Sequence, residues 1–432
     1  MFALCRLIIN MNKKFTVSTL GCKLNFSESS AMVRELKAKG YQEDREAKDV
    51  DLVVVNTCAV TLQAEKKCRQ TIKHLIKLSP HAKVVVTGCF SQLSAEKIAE
   101  IKGVDMVLGN EEKISLVDFV EQEKPEKPLI LKSAFKNITS FKPSYSSEGR
   151  TRCFLKVQDG CDYFCTYCTI PLARGKSRSA SIADTLLVAQ EALATGAREL
   201  ILTGVNIGTF GRDTGEHFLD LLKGLDDLEG NYRVRLGSVE PELMKAEIIA
   251  FVAESKRFVP HFHLPLQSGS NEVLQLMKRR YNRELFAQRV ALIRQLLPTA
   301  YIGVDVIVGM NGETDEMYES AYRFLEALDF SQLHVFTYSE RPHTKALQYT
   351  PKNSPQTKKE RSRRLINLSE EKYRVFCEKS IGATLPVIFE DQGHHDKMFA
   401  YTDNYVRVMA DYDSALIGEI SALEITPENI VY

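Results

Sequence analysis

The chain has 432 residues, and its 57 Lys and Arg against 56 Asp and Glu give a formal net charge of +1. This length predicts about two to four domains. With 44% hydrophobic residues and no apolar run near the roughly 20 residues that cross a bilayer, the composition argues against a membrane-embedded protein. A near-zero charge leaves any nucleic-acid contact to local basic surfaces.

The N-terminal residues and the cysteine count bear on the compartment. A short apolar stretch, Leu7 to Ile9, lacks the longer apolar region and the cleavage site of a secretory signal, and Met11 is an alternative start. Ten cysteines without regular pairing predict metal ligation in a reducing compartment instead of a disulfide framework. We therefore expect a cytoplasmic protein.

Three apolar, β-branched runs in the first third of the chain each lead into a cysteine. Helical patterns between them predict a βαβ succession with a parallel sheet. Because the C-terminal ends of parallel strands share one edge, the three cysteines are expected to converge there. The runs are Phe15–Gly21 before Cys22, Leu52–Thr57 before Cys58 and Val84–Gly88 before Cys89, with helices expected at Ser27–Gly40 and Gln63–Leu78.

Two interpretations of these three cysteines compete. In the first interpretation the three cysteines are independent buried thiols, because free Cys often serves as a small core residue. Equivalent placement after three strands favours instead a shared [4Fe–4S] cluster held by Cys22, Cys58 and Cys89. Four other cysteines lack such a placement and are interpreted as ordinary thiols: Cys5, Cys68, Cys153 and Cys377.

A charged, Pro-containing connector between Glu121 and Gly149 separates an N-terminal domain, residues 12–140, from a second domain, residues 150–372. The second domain opens with the spacing CxxxCxxC, formed by Cys161, Cys165 and Cys168. Zinc ribbons and ferredoxins normally use four protein ligands, and no Cys or His occurs within the next turn after Cys168. Three thiolates can hold three irons of a [4Fe–4S] cube and leave the fourth iron open for chemistry.

Six further apolar runs alternate with helical patterns in the second domain. This alternation predicts an open (β/α)6 partial TIM barrel, in which the loops after the strands carry the chemistry. The runs are Phe154–Val157, Glu199–Thr203, Val234–Val239, Phe262–Leu266, Ile302–Val308 and Leu333–Tyr338.

Polar or Gly-rich residues occur at or after four of these strands, although a Gly-rich turn by itself is usually only a turn. His261 and His263 alternate on one strand and are equally compatible with core groups, so we assign neither to a metal or to acid–base chemistry. The candidates for contacts with a cofactor are Gly204, Asn206, Ser238, Glu240, Gln267 and Asp305.

After Cys377 the pattern changes to short strands that predict a small all-β, OB-like barrel, residues 376–432. The whole chain is thus of the α/β class with an added β domain. The last segment carries ten acidic residues against three basic ones from Glu378 onward, a poor composition for binding phosphate. Its expected strands are Leu385–Phe389, Lys397–Tyr401, Tyr405–Met409 and Leu416–Ile420.

The CxxxCxxC run resembles the motif of the radical S-adenosylmethionine (radical SAM) enzymes. Together with Thr19–Cys22, Asn56–Cys58, Gly88-Cys89 and the terminal barrel, it makes nearly the entire chain similar to the methylthiotransferase family of that superfamily. The terminal barrel is similar to the TRAM domain of the family, an RNA-binding module.

This resemblance implies two [4Fe–4S] clusters and SAM as cofactors. In the family, SAM chelates the open iron at the cluster of Cys161, Cys165 and Cys168, the catalytic set, and reductive cleavage yields a 5′-deoxyadenosyl radical. The radical abstracts hydrogen from C2 of a modified adenine, and the cluster at Cys22, Cys58 and Cys89 supplies sulfur that a second SAM methylates. The implied partners are the tRNA anticodon stem-loop and an electron donor such as flavodoxin or ferredoxin.

Three segments, Leu202–Gly208, His261–Ser270 and Val335–Pro342, resemble most the branch that acts on N6-threonylcarbamoyladenosine at tRNA position 37. Alternatives are N6-isopentenyladenosine, a ribosomal-protein aspartate, or a non-catalytic iron–sulfur RNA-binding protein. Because the terminal barrel is acidic, tRNA contact is expected at Lys278–Arg283 and Lys358–Arg364, each of which is equally a solvated helix face. Glu in place of Arg279 and Arg280 is expected to weaken that contact.

Overall fold

The computed structural model describes residues 13–146, 151–394 and 396–432, so Cys5 and the alternative start at Met11 lie outside the described residues. The chain forms two compact units. The first comprises residues up to 148, 154–164 and 168–180, and the second comprises 149–153, 165–167 and 181–432. Within the described ranges, every helix is too short or too polar to span a bilayer.

A six-stranded parallel sheet forms the centre of the first unit. Its third and fourth strands are buried along their full length, as expected for Val-rich strands covered by helices on both faces. The predicted parallel α/β arrangement is confirmed. In the sheet order β2-β1-β3-β4-β5-β6, the strands are Lys14–Thr19 (β1), Gln42–Glu43 (β2), Leu52–Thr57 (β3), Lys83–Gly88 (β4), Met106–Leu108 (β5) and Leu129–Leu131 (β6).

The helices of the first unit connect these strands. Thr61 accepts a hydrogen bond from the Ala64 amide at 3.1 Å and so fixes the start of the second helix. Two antiparallel strand pairs come after the sheet: Ser144–Tyr145 (β7) with Arg152–Lys156 (β8), and Gln158–Asp159 (β9) with Arg178–Ser179 (β10). The helices are Lys23–Ala38 (α1), Leu62–Leu78 (α2), Cys89–Ala99 (α3), Leu116–Val120 (α4) and Ile170–Arg174 (α5).

Five parallel strands with intervening helices form most of the second unit. Two isolated parallel β-bridges, Val234 with Phe258 and Ser238 with His263, lie between the paired first two strands and the sheet formed by the last three. This succession matches five of the six strands predicted for the partial barrel, and the first predicted strand, Phe154–Val157, overlaps β8. The strands are Glu199–Thr203 (β11), Arg233–Arg235 (β12), His261–Gln267 (β13), Tyr301–Val308 (β14) and Gln332–Thr337 (β15); the helices are Ile182–Ala194 (α6), Phe218–Asp226 (α7), Ala246–Glu254 (α8), Asn271–Leu276 (α9), Arg283–Leu296 (α10), Asp315–Ala327 (α11) and Pro355–Glu378 (α12).

Two strand boundaries in this unit and the terminal sheet differ from the prediction. The expected strand Val234–Val239 ends at Arg235, where Gly237 lies so close to β11 that a Cβ would be 2.2 Å from the Leu202 carbonyl oxygen. The expected strand Leu416–Ile420 is instead a turn that leads into a strand beginning at Ile420. Asp413 accepts a hydrogen bond from the Ala415 amide at 2.9 Å and Gly418 has φ of +78°, and both features favour a turn.

A four-stranded antiparallel sheet closes the chain, in the order β18-β17-β16-β19. Its inner face packs Val387, Phe389, Met398, Ala400 and Val408 into one buried cluster. The arrangement is compatible with the small barrel predicted from the sequence. The strands are Thr384–His394 (β16), Lys397–Thr402 (β17), Arg407–Asp411 (β18) and Ile420–Glu424 (β19).

A buried ion-pair network joins the start of the barrel strands to this last sheet. Glu199 accepts hydrogen bonds from Arg233 at 2.5 Å and from Arg235 at 3.0 Å. The same guanidinium groups donate to the backbone carbonyls of Pro386 and Tyr401 and of neighbouring residues. The terminal sheet is therefore attached at the N-terminal ends of β11 and β12, away from the strand ends that were predicted to carry the chemistry.

Replacing Glu199 with Ala is expected to lower the free energy of unfolding by about 3–5 kcal/mol, because two buried guanidinium groups lose the carboxylate to which both donate hydrogen bonds. Chemical denaturation measures the loss. The exposed ion pair of Arg198 with Glu419 provides a matched control, and Glu419→Ala should cost less than about 1 kcal/mol. Equal losses in the two variants would contradict a structural role for the buried network.

Candidate functional site

Cys22, Cys58 and Cys89 lie at one edge of the first sheet, directly after the adjacent strands β1, β3 and β4. Asn25 ties two of these strand ends together, since its side-chain amide donates to the Leu20 carbonyl at 2.8 Å and to the Thr57 carbonyl at 3.1 Å. The structure thus brings the three cysteines to a common edge, as the sequence pattern predicted. Their assignment as cluster ligands stays a prediction.

Two glycines make the close approach of these cysteines possible. A Cβ on Gly21 would lie 2.7 Å from the Cys58 Cβ and 2.9 Å from its sulfur, and a Cβ on Gly88 would lie 2.4 Å from the Thr57 carbonyl oxygen. Both glycines also have positive φ, a conformation that residues with side chains rarely adopt. A side chain at either position would push the cysteine-bearing loops apart.

The surroundings of these thiols disfavour their deprotonation to thiolates. Burial, together with the nearby Cys89 and Cys22, raises the pKa of the Cys58 thiol to about 12, and burial likewise raises the pKa of Cys22 although Arg174 opposes it. Thiolate ligands therefore need a bound cationic centre to form, as in metal sites that release protons on loading.

The other described cysteines are buried, as expected of ordinary thiols: Cys68, Cys153 and Cys377. Cys68 donates its thiol hydrogen to the Cys58 carbonyl and accepts from the Cys58 amide, each at 3.5 Å. It therefore fixes the backbone that carries Cys58.

Arg174 connects the cysteine edge with a buried charge network that sequence reasoning missed. It is 1% exposed and donates to Asn25 at 2.6 Å, to Glu28 at 3.0 Å and to Asp159 at 3.0 Å. Burial disfavours its charge, but Asp159, Cys89, Glu28 and Cys22 together hold its pKa well above the usual range. A permanent positive charge thus faces the cysteine edge from within the same unit.

The CxxxCxxC loop is anchored by backbone contacts on both sides. Gly160 has φ of +70°, and a Cβ there would clash with the Lys176 carbonyl; next to it, the Cys161 amide donates to the Gly175 carbonyl at 3.1 Å. Cys168 accepts a hydrogen bond from the Ile170 amide at 3.4 Å. These contacts fix the backbone of the loop.

Arg279 contacts the middle cysteine of this loop, which corrects its predicted role as a tRNA contact. Its side chain is 2% exposed, donates to the Cys165 sulfur at 3.1 Å and forms an ion pair with Glu240. Burial raises the pKa of the Cys165 thiol, and the Arg279 charge opposes that rise. A guanidinium that binds a thiol and a carboxylate is unavailable to phosphate, so Glu in place of Arg279 would disrupt the site itself.

The candidate cofactor contacts lie on the strands and loops of the second unit. Gly204 and Asn206 come after β11, Ser238 bridges His263, and Gln267 ends β13 with φ of +66°. Glu240 is coupled electrostatically to Asp305, so these two predicted residues share one region. The assignment of all six to SAM stays a prediction.

Glu240 and Glu242 are two candidate hydrogen-bond acceptors in the region of Arg279. Only Glu240 was predicted from the sequence. Burial, with smaller contributions from Glu242 and Asp305, raises the pKa of Glu240 to about 7 although Arg279 opposes the rise. Both carboxylate oxygens of Glu242 are buried and receive no hydrogen bond from the residues that the structure describes. A buried carboxylate without donors is suited to an ammonium or to hydroxyl groups, the donors that SAM carries. The residues present therefore fit the cofactor.

His263, Asp305 and His334 meet inside the partial barrel on β13, β14 and β15. Asp305 Oδ1 lies 2.7 Å from His263 Nε2 and 3.0 Å from His334 Nδ1, and the two ring nitrogens are 3.3 Å apart. Burial would raise the pKa of Asp305, but the hydrogen bonds and charges of the two histidines hold it well below its usual range. His261, by contrast, stacks on Tyr301 with ring centroids 5.0 Å apart and serves the core.

The second predicted basic segment divides into paired and exposed residues. Arg361 is buried on Glu313 and Asp315, and Arg364 pairs with Glu319. Lys358, Lys359 and Arg363 line a surface groove of about 540 Å³, in which the Lys358 ammonium donates to the Tyr338 carbonyl at 3.4 Å while Lys359 and Arg363 are exposed. These two exposed cations are accessible to a polyanion.

Two family models match the chain. Residues 14–109 match the uncharacterized protein family UPF0004, and residues 155–325 match the radical SAM superfamily. These matches cover the cysteine edge of the first unit and the CxxxCxxC loop with most of the partial barrel.

Curated relatives match over nearly full length. The threonylcarbamoyladenosine tRNA methylthiotransferase MtaB of Bacillus subtilis is 36% identical over 96% of this chain and 94% of its own, and that of Aquifex aeolicus is 36% identical over 91% and 96%. The tRNA-2-methylthio-N(6)-dimethylallyladenosine synthase of Desulfitobacterium hafniense is 30% identical over 98% and 97%.

Among solved structures, the radical S-adenosylmethionine methyltransferase TsrM of Kitasatospora setae, with cobalamin and a [4Fe–4S] cluster bound, is similar with a TM-score of 0.59. It is 16% identical, over 77% of each chain. At this identity the likeness shows a shared fold.

Proposed function

Because this chain belongs to the radical SAM methylthiotransferase family, which uses SAM and [4Fe–4S] clusters, and its curated relatives are named as tRNA-modifying enzymes, we propose that it adds a methylthio group to C2 of N6-threonylcarbamoyladenosine at tRNA position 37. The observation that carries the proposal is the 36% identity to threonylcarbamoyladenosine methylthiotransferases over more than nine-tenths of both chains. The joint presence of the cysteine edge and the CxxxCxxC loop supports it.

Two sets of three cysteines would hold the clusters: Cys161, Cys165 and Cys168 for the SAM-binding cluster, and Cys22, Cys58 and Cys89 for the second one. Bound there, the clusters and SAM supply the one-electron chemistry that an aromatic C–H bond needs, because this bond is too strong for acid–base catalysis. The proposed domains remain residues 12–140, 150–372 and 376–432.

The side chains of the second unit position the reactants. Arg279 holds Cys165 and Glu240 in fixed relation, with both contacts buried from solvent. Glu240 and Glu242 would accept hydrogen bonds from the ammonium or hydroxyl groups of SAM, assisted by Gly204, Asn206, Ser238, Gln267 and Asp305. Hydrogen bonds to these acceptors would orient SAM and restrict the positions that it can adopt.

The second candidate substrate is N6-isopentenyladenosine, which the relatives named dimethylallyladenosine synthases favour at 30 to 33% identity. A threonylcarbamoyl group carries a carboxylate and needs polar partners, whereas an isopentenyl group needs an apolar pocket. The interior of the partial barrel presents His263, Asp305 and His334, all partly exposed. This polar lining supports the threonylcarbamoyl substrate.

The tRNA contact is proposed at the groove formed by Lys358, Lys359 and Arg363, near Thr337 at the C-terminal end of β15. Lys278 and Arg280 are exposed and remain candidates from the other predicted stretch. The anticodon stem-loop would thus approach the strand ends where SAM is expected.

Charge reversal of this groove, Lys359→Glu with Arg363→Glu, is expected to weaken tRNA binding and to reduce the slope of log affinity against log salt by about two. Filter binding at several salt concentrations measures both quantities. The control is Arg374→Glu with Lys379→Glu, an equal charge change on exposed residues at the far end of α12. Similar losses in both double variants would show that net charge, and not the groove, governs binding.

A one-electron donor such as flavodoxin or ferredoxin is proposed as the reductant, since reductive SAM cleavage consumes an electron that the chain must receive. The cytoplasm is proposed as the location, which rests on the cysteine pattern and on the tRNA substrate.

Expression of the chain in a host that lacks its own tRNA methylthiotransferases tests the proposal. Mass spectrometry of the digested tRNA should show the methylthio derivative of threonylcarbamoyladenosine. The methylthio derivative of isopentenyladenosine alone would retain the family and change the substrate.

A further inference from the structure

The triad of His263, Asp305 and His334 has a geometry that its hydrogen bonds do not fully explain. His263 Nε2, Asp305 Oδ1 and His334 Nδ1 all lie within 3.3 Å of one another. Asp305 Oδ1 can accept from both histidines, but the 3.3 Å approach of the two ring nitrogens then brings two N–H groups together. Two donors aimed at one oxygen leave this third contact unfavourable.

A metal ion would account for all three separations at once. Adjacent ligands of an octahedral ion with bonds of about 2.1 Å lie about 3.0 Å apart, and the observed distances of 2.7, 3.0 and 3.3 Å bracket this value. Two histidines and one carboxylate on one face of an ion are a recurrent ligand set for divalent first-row metals.

The backbone positions the three ligands for such a face. Asp305 pairs with His334 across β14 and β15, while His263 pairs with Gly303, two residues before Asp305 and on the same side of the sheet. Gly303 presents no side chain there, and the Tyr301 ring occupies the space, since a Cβ on Gly303 would lie 2.8 Å from it. An aromatic ring therefore fills the space beside the triad on this side of the sheet.

The triad can be reached from the barrel interior, and carboxylates lie close to it. The side chains of His263, Asp305 and His334 are 20%, 18% and 36% exposed, so an ion and its additional ligands can enter. Glu240 lies near both Asp305 and Glu242, and it pairs with the Arg279 guanidinium. Carboxylates grouped in this way favour a cation.

We propose that His263, Asp305 and His334 form a binding site for one divalent first-row cation inside the partial barrel, separate from both cluster sites. The remaining coordination positions face the open interior and would take oxygen ligands such as water, a hydroxyl or a carboxylate. The site does not depend on the proposed substrate, and its test needs neither SAM nor tRNA.

The full-length protein with reconstituted clusters is treated with chelator and titrated with Mn²⁺, which prefers nitrogen and oxygen ligands over thiolates. Electron paramagnetic resonance reports the free Mn²⁺. The wild type should bind one ion per chain, and His334→Gln and Asp305→Asn should each weaken binding at least about tenfold. His217→Gln, an exposed histidine outside the triad, should bind as the wild type does.

A site already filled would appear as metal that the wild type retains through chelation and that His334→Gln loses, measured by plasma mass spectrometry, and this result also supports the proposal. Iron content and circular dichroism establish that each variant is folded and loaded. Wild-type protein that neither retains nor binds an ion, or variants that bind as tightly as the wild type, would overturn the site and leave a hydrogen-bonded triad.

Discussion

Replacing Cys161 with Ala is expected to abolish SAM cleavage and methylthio transfer together, while the chain keeps about half of its iron. The physical reason is that two remaining thiolates cannot hold three irons of a cube, whereas Cys22, Cys58 and Cys89 lie on a different set of strand ends and are untouched. Liquid chromatography of 5′-deoxyadenosine measures SAM cleavage, and iron analysis with Mössbauer spectroscopy measures the cluster that remains.

The reciprocal variant, Cys58→Ala, separates the two roles. It should lose methylthio transfer but retain SAM cleavage, because the CxxxCxxC loop and its contact with Arg279 are intact. Cys377→Ala is the control, since Cys377 is a buried thiol in the cluster of the terminal sheet and belongs to neither set of three cysteines. Loss of SAM cleavage in Cys58→Ala with correct loading of the other cluster would contradict the division of labour.

Replacing Arg174 with Met is expected to shift the midpoint potential of the cluster proposed at Cys22, Cys58 and Cys89 to a lower value, or to prevent its assembly. Arg174 is buried, fully charged and coupled to Cys22 and Cys89, so its removal deletes a positive charge beside an anionic thiolate set. A unit charge several ångströms away is worth about 2 kcal/mol at an effective dielectric of about 20, which is on the order of 100 mV for a one-electron couple.

A redox titration monitored by electron paramagnetic resonance measures the shift. Arg174→Lys keeps the charge and should restore much of the potential. Arg178→Met is the matched control, because Arg178 also contacts Asp159, at 3.4 Å, and is likewise buried. An equal shift in Arg178→Met would assign the effect to the network as a whole and contradict a specific role of Arg174.

The strands and cysteine placements could be predicted because their signals are local. Val-rich runs such as Leu52–Thr57 and Val84–Gly88 have the composition of buried parallel strands, and parallel topology alone places the residues after each strand at one edge of the sheet. The spacing of Cys161, Cys165 and Cys168 is likewise contained within one short loop. A predicted strand boundary was wrong where one close backbone contact determines the end of the strand, as at Gly237.

The side chains that position these groups could not be predicted, because their partners are distant in sequence. Arg279 lies in a run of basic residues that favours a phosphate contact, yet it meets Cys165 across 114 positions of the chain. Arg174 reaches Glu28 across 146 positions, and Glu242 differs from an ordinary surface acid only by its burial. The Gly-Cys and CxxxCxxC signals mark the predicted ligands but contain no information about these contacts.

The most direct test of the central claim is a competition in which the cluster-reconstituted protein meets two tRNAs at once, one with threonylcarbamoyladenosine and one with isopentenyladenosine at position 37. SAM and reductant are supplied under anaerobic conditions, and mass spectrometry quantifies the methylthio nucleosides. We expect the threonylcarbamoyl product to predominate. Formation of the isopentenyl product alone would contradict the proposed substrate, and cleavage of SAM without modification of either tRNA would contradict the assignment of tRNA adenosine as the acceptor.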